Sequence, residues 1–171
     1  MTEFPCKQTG ICTRCGRCCR IRQATIKLNQ EEERKIKKKV YETTCVVYLH
    51  PFARYTISLT TDEKERLLKL AKQKKKKLRI LPKKIIFDGK KAIVYDWFMD
   101  HDVCPFLKNR NVCTIYEHRP EICRMFPKIE NKQLGEIKKF LEKHKIKPVK
   151  LSYNKIIRLA KKSLKQQGIK I

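Results

Sequence analysis

Cys12, Cys15, Cys18 and Cys19 fall within eight residues, in the run Cys12-Thr13-Arg14-Cys15-Gly16-Arg17-Cys18-Cys19. A two-residue spacer lets successive thiolates converge on one metal while backbone N–H groups of the turn point at the sulfurs, and Gly16 permits that turn. A second block holds Cys104, Cys113 and Cys123. Adjacent Cys18 and Cys19 project in different directions, and a disulfide between neighbours would be badly strained. They are therefore expected to face different metal atoms of one cluster, or two sites. Buried free thiols acting as small hydrophobes are the plainer alternative, but core cysteines do not cluster at this spacing. The candidate metal ligands are thus Cys12, Cys15, Cys18, Cys19, Cys104, Cys113 and Cys123. Cys6 and Cys45 stand outside the set, and Cys45, in an apolar run with Val46, Val47 and Tyr48, reads as core.

The C-x2-C-x2-C run also opens the ligand sequence of bacterial ferredoxins, where a Cys followed by Pro supplies a further ligand, and Cys104 is followed by Pro105. An iron–sulfur cluster of the [4Fe–4S] kind is the expected cofactor, with zinc as the alternative. His101 and His118 are expected at the surface, although Cys3His is an ordinary zinc set. Several thiolates in one place need cationic or N–H partners, so Arg119 and Arg124 are the candidate cofactor-binding cations. The plainer alternative, which ranks below thiolate neutralisation, is that Arg119 holds a carboxylate such as Glu117 or Glu121.

The two blocks together, CTRCGRCC at 12–19 and CPFLKNRNVCTIYEHRPEICRMFP at 104–127, resemble the CxxCxxCC cysteine-cluster family, the YkgJ-type zinc- or iron-chelating domain. The resemblance covers roughly residues 10 to 130. It implies that the seven cysteines form the cluster, with Arg119, Pro120, Arg124 and Pro127 in its framework. Some relatives are lysine methylases acting on flagellin and are longer than this chain. Here the segment between the blocks is long and basic, and Cys6 and Cys45 are additional.

The elements that must bring the blocks together form an α+β pattern. Thr25-Ile26-Lys27-Leu28 and Thr56-Ile57-Ser58-Leu59 are similar short strands, each running into a helix. Asn29 or Thr60 is the expected N-cap, and Glu32 or Glu63 the partner of a capping box. The helices are expected at 29–43 and 61–78. Ile85-Ile86-Phe87, Asp88-Gly89 and Ala92-Ile93-Val94-Tyr95 predict a hairpin whose second strand runs through Trp97 and Phe98 toward Cys104. Pro120 suits a first helical position. Helical stripes follow at Ile137, Phe140, Leu141 and His144, then at Tyr153, Ile156, Ile157, Ala160 and Leu164, the last helix capped by Ser152 and ended by Gly168. The chain divides into a cysteine-cluster domain over 1–130 and a helical extension over 131–171 packed on it.

Its 171 residues, 41% of them apolar, suffice to bury a core without disulfides. Nine cysteines cannot all pair, and no export signal or apolar run long enough to span a membrane is apparent. A cytoplasmic protein without a membrane partner is expected. Lys and Arg number 43 against 17 Asp and Glu, a net charge of +26. Such a field attracts nucleic acid or acidic protein, and it also solvates without specifying a partner. Three function classes follow: a metal-cluster protein with a redox or electron-transfer role, a zinc-organised nucleic-acid-binding module, and a cluster-dependent protein lysine methylase. The chain contains no C-x3-C-x2-C, G-x-G-x-x-G or P-loop motif to support the third. No residue is named as catalytic.

Overall fold

The computed structural model describes residues 13–20, 28–52, 56–126 and 133–171. Within them lie five α-helices: α1 (Gln30–Thr44), α2 (Thr61–Gln73), α3 (Glu121–Met125), α4 (Gln133–Lys143) and α5 (Tyr153–Gln166). The main sheet is antiparallel with strand order β1-β3-β4-β2, from β1 (Val46–Tyr48), β2 (Ser58–Leu59), β3 (Ile80–Phe87) and β4 (Ala92–Met99). A second, two-stranded sheet pairs β5 (Leu107–Lys108) with β6 (Val112–Cys113). The class is α+β.

Alternation along the strands gives the main sheet two apolar faces. Val47, Ile85, Phe87 and Ala92 pack with Tyr41 of α1 and with Tyr153, Ile156, Ala160 and Leu164 of α5. Val46 and Ile86, one step along in register, pack with Ile137, Phe140 and Leu141 of α4 and with Ile146. The third cluster sits at the far end of β4. There Leu59, Leu67, Ala71, Trp97 and Met99 meet Cys104, Phe106 and Ile115, so the helix α2 and the sheet end form the support on which the cysteine lobe rests.

Both capping boxes form. Asn29 Oδ1 accepts from Glu32 N at 2.9 Å while Glu32 Oε2 accepts from Asn29 N at 2.9 Å; Thr60 and Glu63 repeat the exchange at 3.2 and 3.0 Å. The Asp88-Gly89 hairpin is likewise present. Asp88 Oδ1 accepts from the backbones of Lys90 and Lys91 at 2.9 and 2.8 Å, and Gly89 takes φ +98°.

Several local expectations change. The second helix ends at Gln73 rather than continuing to residue 78, because a run of four lysines, Lys74–Lys77, offers no apolar face and Lys75 turns left-handed at φ +51°. Leu78 instead packs on the cysteine-lobe cluster. Strand β3 starts earlier than the hairpin signal implied and carries a register shift after Pro82, consistent with a proline lacking a ladder donor. Pro120 is the N-cap of α3 and not its first helical residue. Ser152 has N-cap geometry but its side chain makes no cap bond. Cys45 is half-buried rather than core, the left-handed C-cap of α1 at φ +58°. The expected strand at Thr25–Lys27 lies outside the described residues, as do Cys6, Cys12 and Pro127. No helix among the described residues is long and apolar enough to cross a membrane.

Candidate metal centre

The first cysteine block is a tight turn. Gly16 adopts φ +71°, and Arg17–Cys19 form a 3-10 turn in which Cys19 N donates to Gly16 O at 3.1 Å. A Cβ on Gly16 would stand 2.7 Å from Asn111 Oδ1 and 2.9 Å from Arg20 Nη1. Glycine is needed here for space as well as for conformation. The same Asn111 Oδ1 accepts from Arg20 Nη2 at 2.7 Å, so the turn is locked against the second cysteine block.

That second block is laid down by β4. Past Met99 the chain forms a bridge between Val103 and Arg20, and Cys104 N donates to Cys19 O at 2.7 Å. The β5–β6 hairpin then places Cys113 opposite Leu107, with Thr114 N and Thr114 Oγ1 both donating to Phe106 O. A 3-10 turn at Tyr116–His118 leads to Arg119, Pro120 and the short helix α3, which carries Cys123. The start of α3 is tied to α2, since Glu121 N donates to Glu63 Oε1 at 2.7 Å.

The result is one cavity of about 370 Å³ whose wall includes Cys15, Cys18, Cys19, Cys104, Cys113 and Cys123, all six of the described candidate ligands. Ile57, Met99, Phe106 and Ile115 form its apolar side. Arg14, Tyr116 and Arg119 line it as well. The guanidinium carbons of Arg14 and Arg119 lie 4.4 and 3.6 Å from the centre of the Tyr116 ring, and Arg119 Nε donates to Tyr116 O at 2.8 Å. Cys18 and Cys19 open onto this same cavity rather than onto two separate ones.

The thiols feel one another. A hydrogen bond from the Cys19 thiol lowers Cys18 to about 7; burial opposes this, and a backbone N–H and the Arg119 guanidinium assist it. Donating that bond pushes Cys19 far up, and burial and the charges of Cys18, Cys104 and Cys123 add to the effect. Burial lifts Cys104 to about 11, against the N–H groups of Phe106 and Leu107. Burial also raises Cys123 strongly, as do Cys104, Cys18 and Cys113, with Arg119 opposing. Such a set cannot ionise together without a compensating cation, the condition a bound metal meets. Among the described residues no three His, Cys, Asp or Glu side chains stand close enough together to hold one ion.

Of the two candidate cations, Arg119 lines the cavity, whereas Arg124 is exposed and does not. Arg119 ends the 3-10 turn ahead of α3, whereas Arg124 lies in the last turn of α3 itself. His101 is engaged elsewhere: its Nε2 accepts from Arg79 N at 2.7 Å. His118 is exposed and does not line the cavity. Sequence reasoning missed Arg14, Asn111 and Tyr116 as members of the site, and it gave Glu63 only a capping role. The Tyr-x-x-Arg spacing was a local signal for Tyr116 alone, since Arg119 three residues on stacks on its ring and bonds its carbonyl.

A family model for CxxCxxCC, described as "Putative zinc- or iron-chelating domain", matches residues 11–146, and the chain belongs to this family. No curated protein and no solved structure matches the chain.

Proposed function

We propose that the metal of this family member is an iron–sulfur cluster, of the [4Fe–4S] kind, and that the protein works as a redox or electron-transfer module. The supporting observation is the convergence of six cysteines, from a turn, a strand exit, a hairpin and a helix, on a single cavity of about 370 Å³. With Cys12 the sequence offers seven thiols, enough to supply the four that a [4Fe–4S] cluster takes, and equally the four of a tetrahedral zinc. An iron–sulfur cluster supplies reversible one-electron transfer, at a potential set by net charge, hydrogen bonds to sulfur and solvent exposure.

This chain's own residues address each of those controls. The backbone N–H groups of Phe106 and Leu107 favour the ionised form of Cys104, and Arg119 adds positive charge beside Cys18 and Cys123. Ile57, Met99, Phe106 and Ile115 give an apolar wall that limits water on one side. Arg119 is itself fixed, by its bond to the Tyr116 carbonyl and its stacking on the Tyr116 ring.

Anaerobic purification followed by iron, zinc and acid-labile sulfide analysis tests the reading. A brown protein with iron, sulfide and a broad visible charge-transfer absorption is expected. A colourless protein with stoichiometric zinc and no sulfide, unchanged after reconstitution with iron and sulfide, would overturn the cluster while leaving the cysteine framework as a zinc site.

A further inference from the structure

The outward face of α5 is a row of cations without acidic partners. Residues 143–171 contain ten Lys or Arg and no Asp or Glu. On α5 itself Lys155, Arg158, Lys161, Lys162 and Lys165 are all exposed, and among the described residues none of them forms an ion pair. Helix α1 differs. There Lys35, Lys37 and Lys38 each pair with a glutamate one turn away, Glu31, Glu33 and Glu42. Solubility alone is served by the mixed-charge pattern of α1; a single-sign row keeps its field for an external anion.

The opposite face of α5 decides which anion. Tyr153, Ile156, Ala160, Ser163 and Leu164 are buried against the sheet and α1, so the helix has no apolar stripe left to insert into a lipid surface. Ile157 and Leu159, the remaining apolar residues of the helix, also pack on that core. Without an exposed apolar or aromatic anchor, the face lacks the centre on which a protein partner would be held, and it lacks the rings on which unpaired bases stack. What remains is charge at regular spacing. Lys155 to Lys165 spans about 15 Å at the helical rise, which matches about four phosphates along one strand of a duplex.

We propose that the outward face of α5 binds the phosphate backbone of duplex nucleic acid, without base readout. The binding is independent of which metal the cysteine cavity holds. Contact releases counterions from the duplex, so affinity falls steeply with salt.

The test uses the full chain and a fluorescently labelled mixed-sequence DNA duplex, with anisotropy read between about 50 and about 200 mM salt. The expected log–log slope is about −0.9 per phosphate neutralised. Lys161→Gln, Lys162→Gln and Lys165→Gln combined should weaken binding at low salt and flatten the slope by about 0.9 for each phosphate that is no longer neutralised. Lys35→Gln with Lys38→Gln, on the self-paired helix, should leave the slope near wild type. All five positions are exposed, and thermal unfolding checks that both variants fold. Three results would each overturn the proposal: no binding at about 50 mM salt, an unchanged slope in the α5 variant, or displacement of the duplex by phosphatidylserine vesicles at equal phosphate concentration.

Discussion

The backbone of Cys104 donates to the carbonyl of Cys19 across 2.7 Å, joining two cysteine blocks that lie 85 positions apart in the chain. Beside it, Arg20 bridges to Val103 and also holds Asn111, so the first block is strapped to both the strand exit and the hairpin that follow it. The cavity between the blocks exists because of this strap, and the site's behaviour follows from it.

Ligand substitutions should divide the cysteines. Serine at Cys15, Cys18, Cys19, Cys104, Cys113 or Cys123 exchanges a soft thiolate for a hard, poorly ionised hydroxyl, and each variant is expected to lose metal. Cys45→Ser should retain full metal content, because Cys45 caps α1 and does not line the cavity. Metal-to-protein ratios measure this directly. Full retention in both Cys18→Ser and Cys19→Ser would remove the adjacent pair from the ligand set.

Gly16 and Asn111 should be coupled. Gly16→Ala forces a left-handed non-glycine residue, costing about 1–2 kcal/mol, and drives its Cβ into Asn111 Oδ1. Asn111→Gly removes that side chain and tolerates the φ of +61° found there. Denaturant unfolding of the two single variants and the double is expected to give a less than additive loss, with metal content partly regained in the double. Strict additivity would mean the contact does not constrain the turn.

Glu63 connects helix α2 to the metal centre. One carboxylate oxygen closes the capping box with Thr60 while the other receives the N–H of Glu121, the first residue of the helix bearing Cys123. Glu63→Ala should lower stability by about 1–2 kcal/mol, as lost N-caps do, and should speed metal release to a chelator. Glu63→Gln keeps one acceptor oxygen and should fall between wild type and alanine in both measurements. An alanine variant that is destabilised but releases metal at the wild-type rate would confine Glu63 to a structural role.

The metal-free thiols should titrate in opposite directions. Cys18, lowered from 9.0 to about 7, is expected to alkylate first near neutral pH, and Cys19→Ala should move its rate profile upward by deleting the bond that lowers it. A depressed acid contributes stability above its unfolded value and loses it as pH falls through the folded one. The raised Cys104 does the reverse, contributing below 9.0 and losing its share as pH rises through about 11. Stability of the metal-free chain should therefore climb from pH 7 toward 9 and fall beyond it. Melting temperatures across that range, and peptide mapping of the label, test both halves.

Much of this protein was legible in its residues. The capping boxes at Asn29–Glu32 and Thr60–Glu63 formed as read, since a side chain three positions from an N-cap reaches back to it whatever surrounds the helix. The Asp88-Gly89 hairpin formed for the same local reason, and its second strand does run on toward Cys104. The clustered cysteines announced a chelating site, because thiols at that spacing have little else to do in a core. What the residues could not reveal was which distant groups complete the site. Arg119 lines the cavity and Arg124 does not, Asn111 fills the space beside Gly16, and Glu63 caps a helix 58 positions further along. Those relationships depend on how β4 leaves the sheet and where α2 packs beneath it. Motifs act over a few residues through fixed backbone geometry, while the cavity is defined by the packing of segments that sequence spacing does not relate.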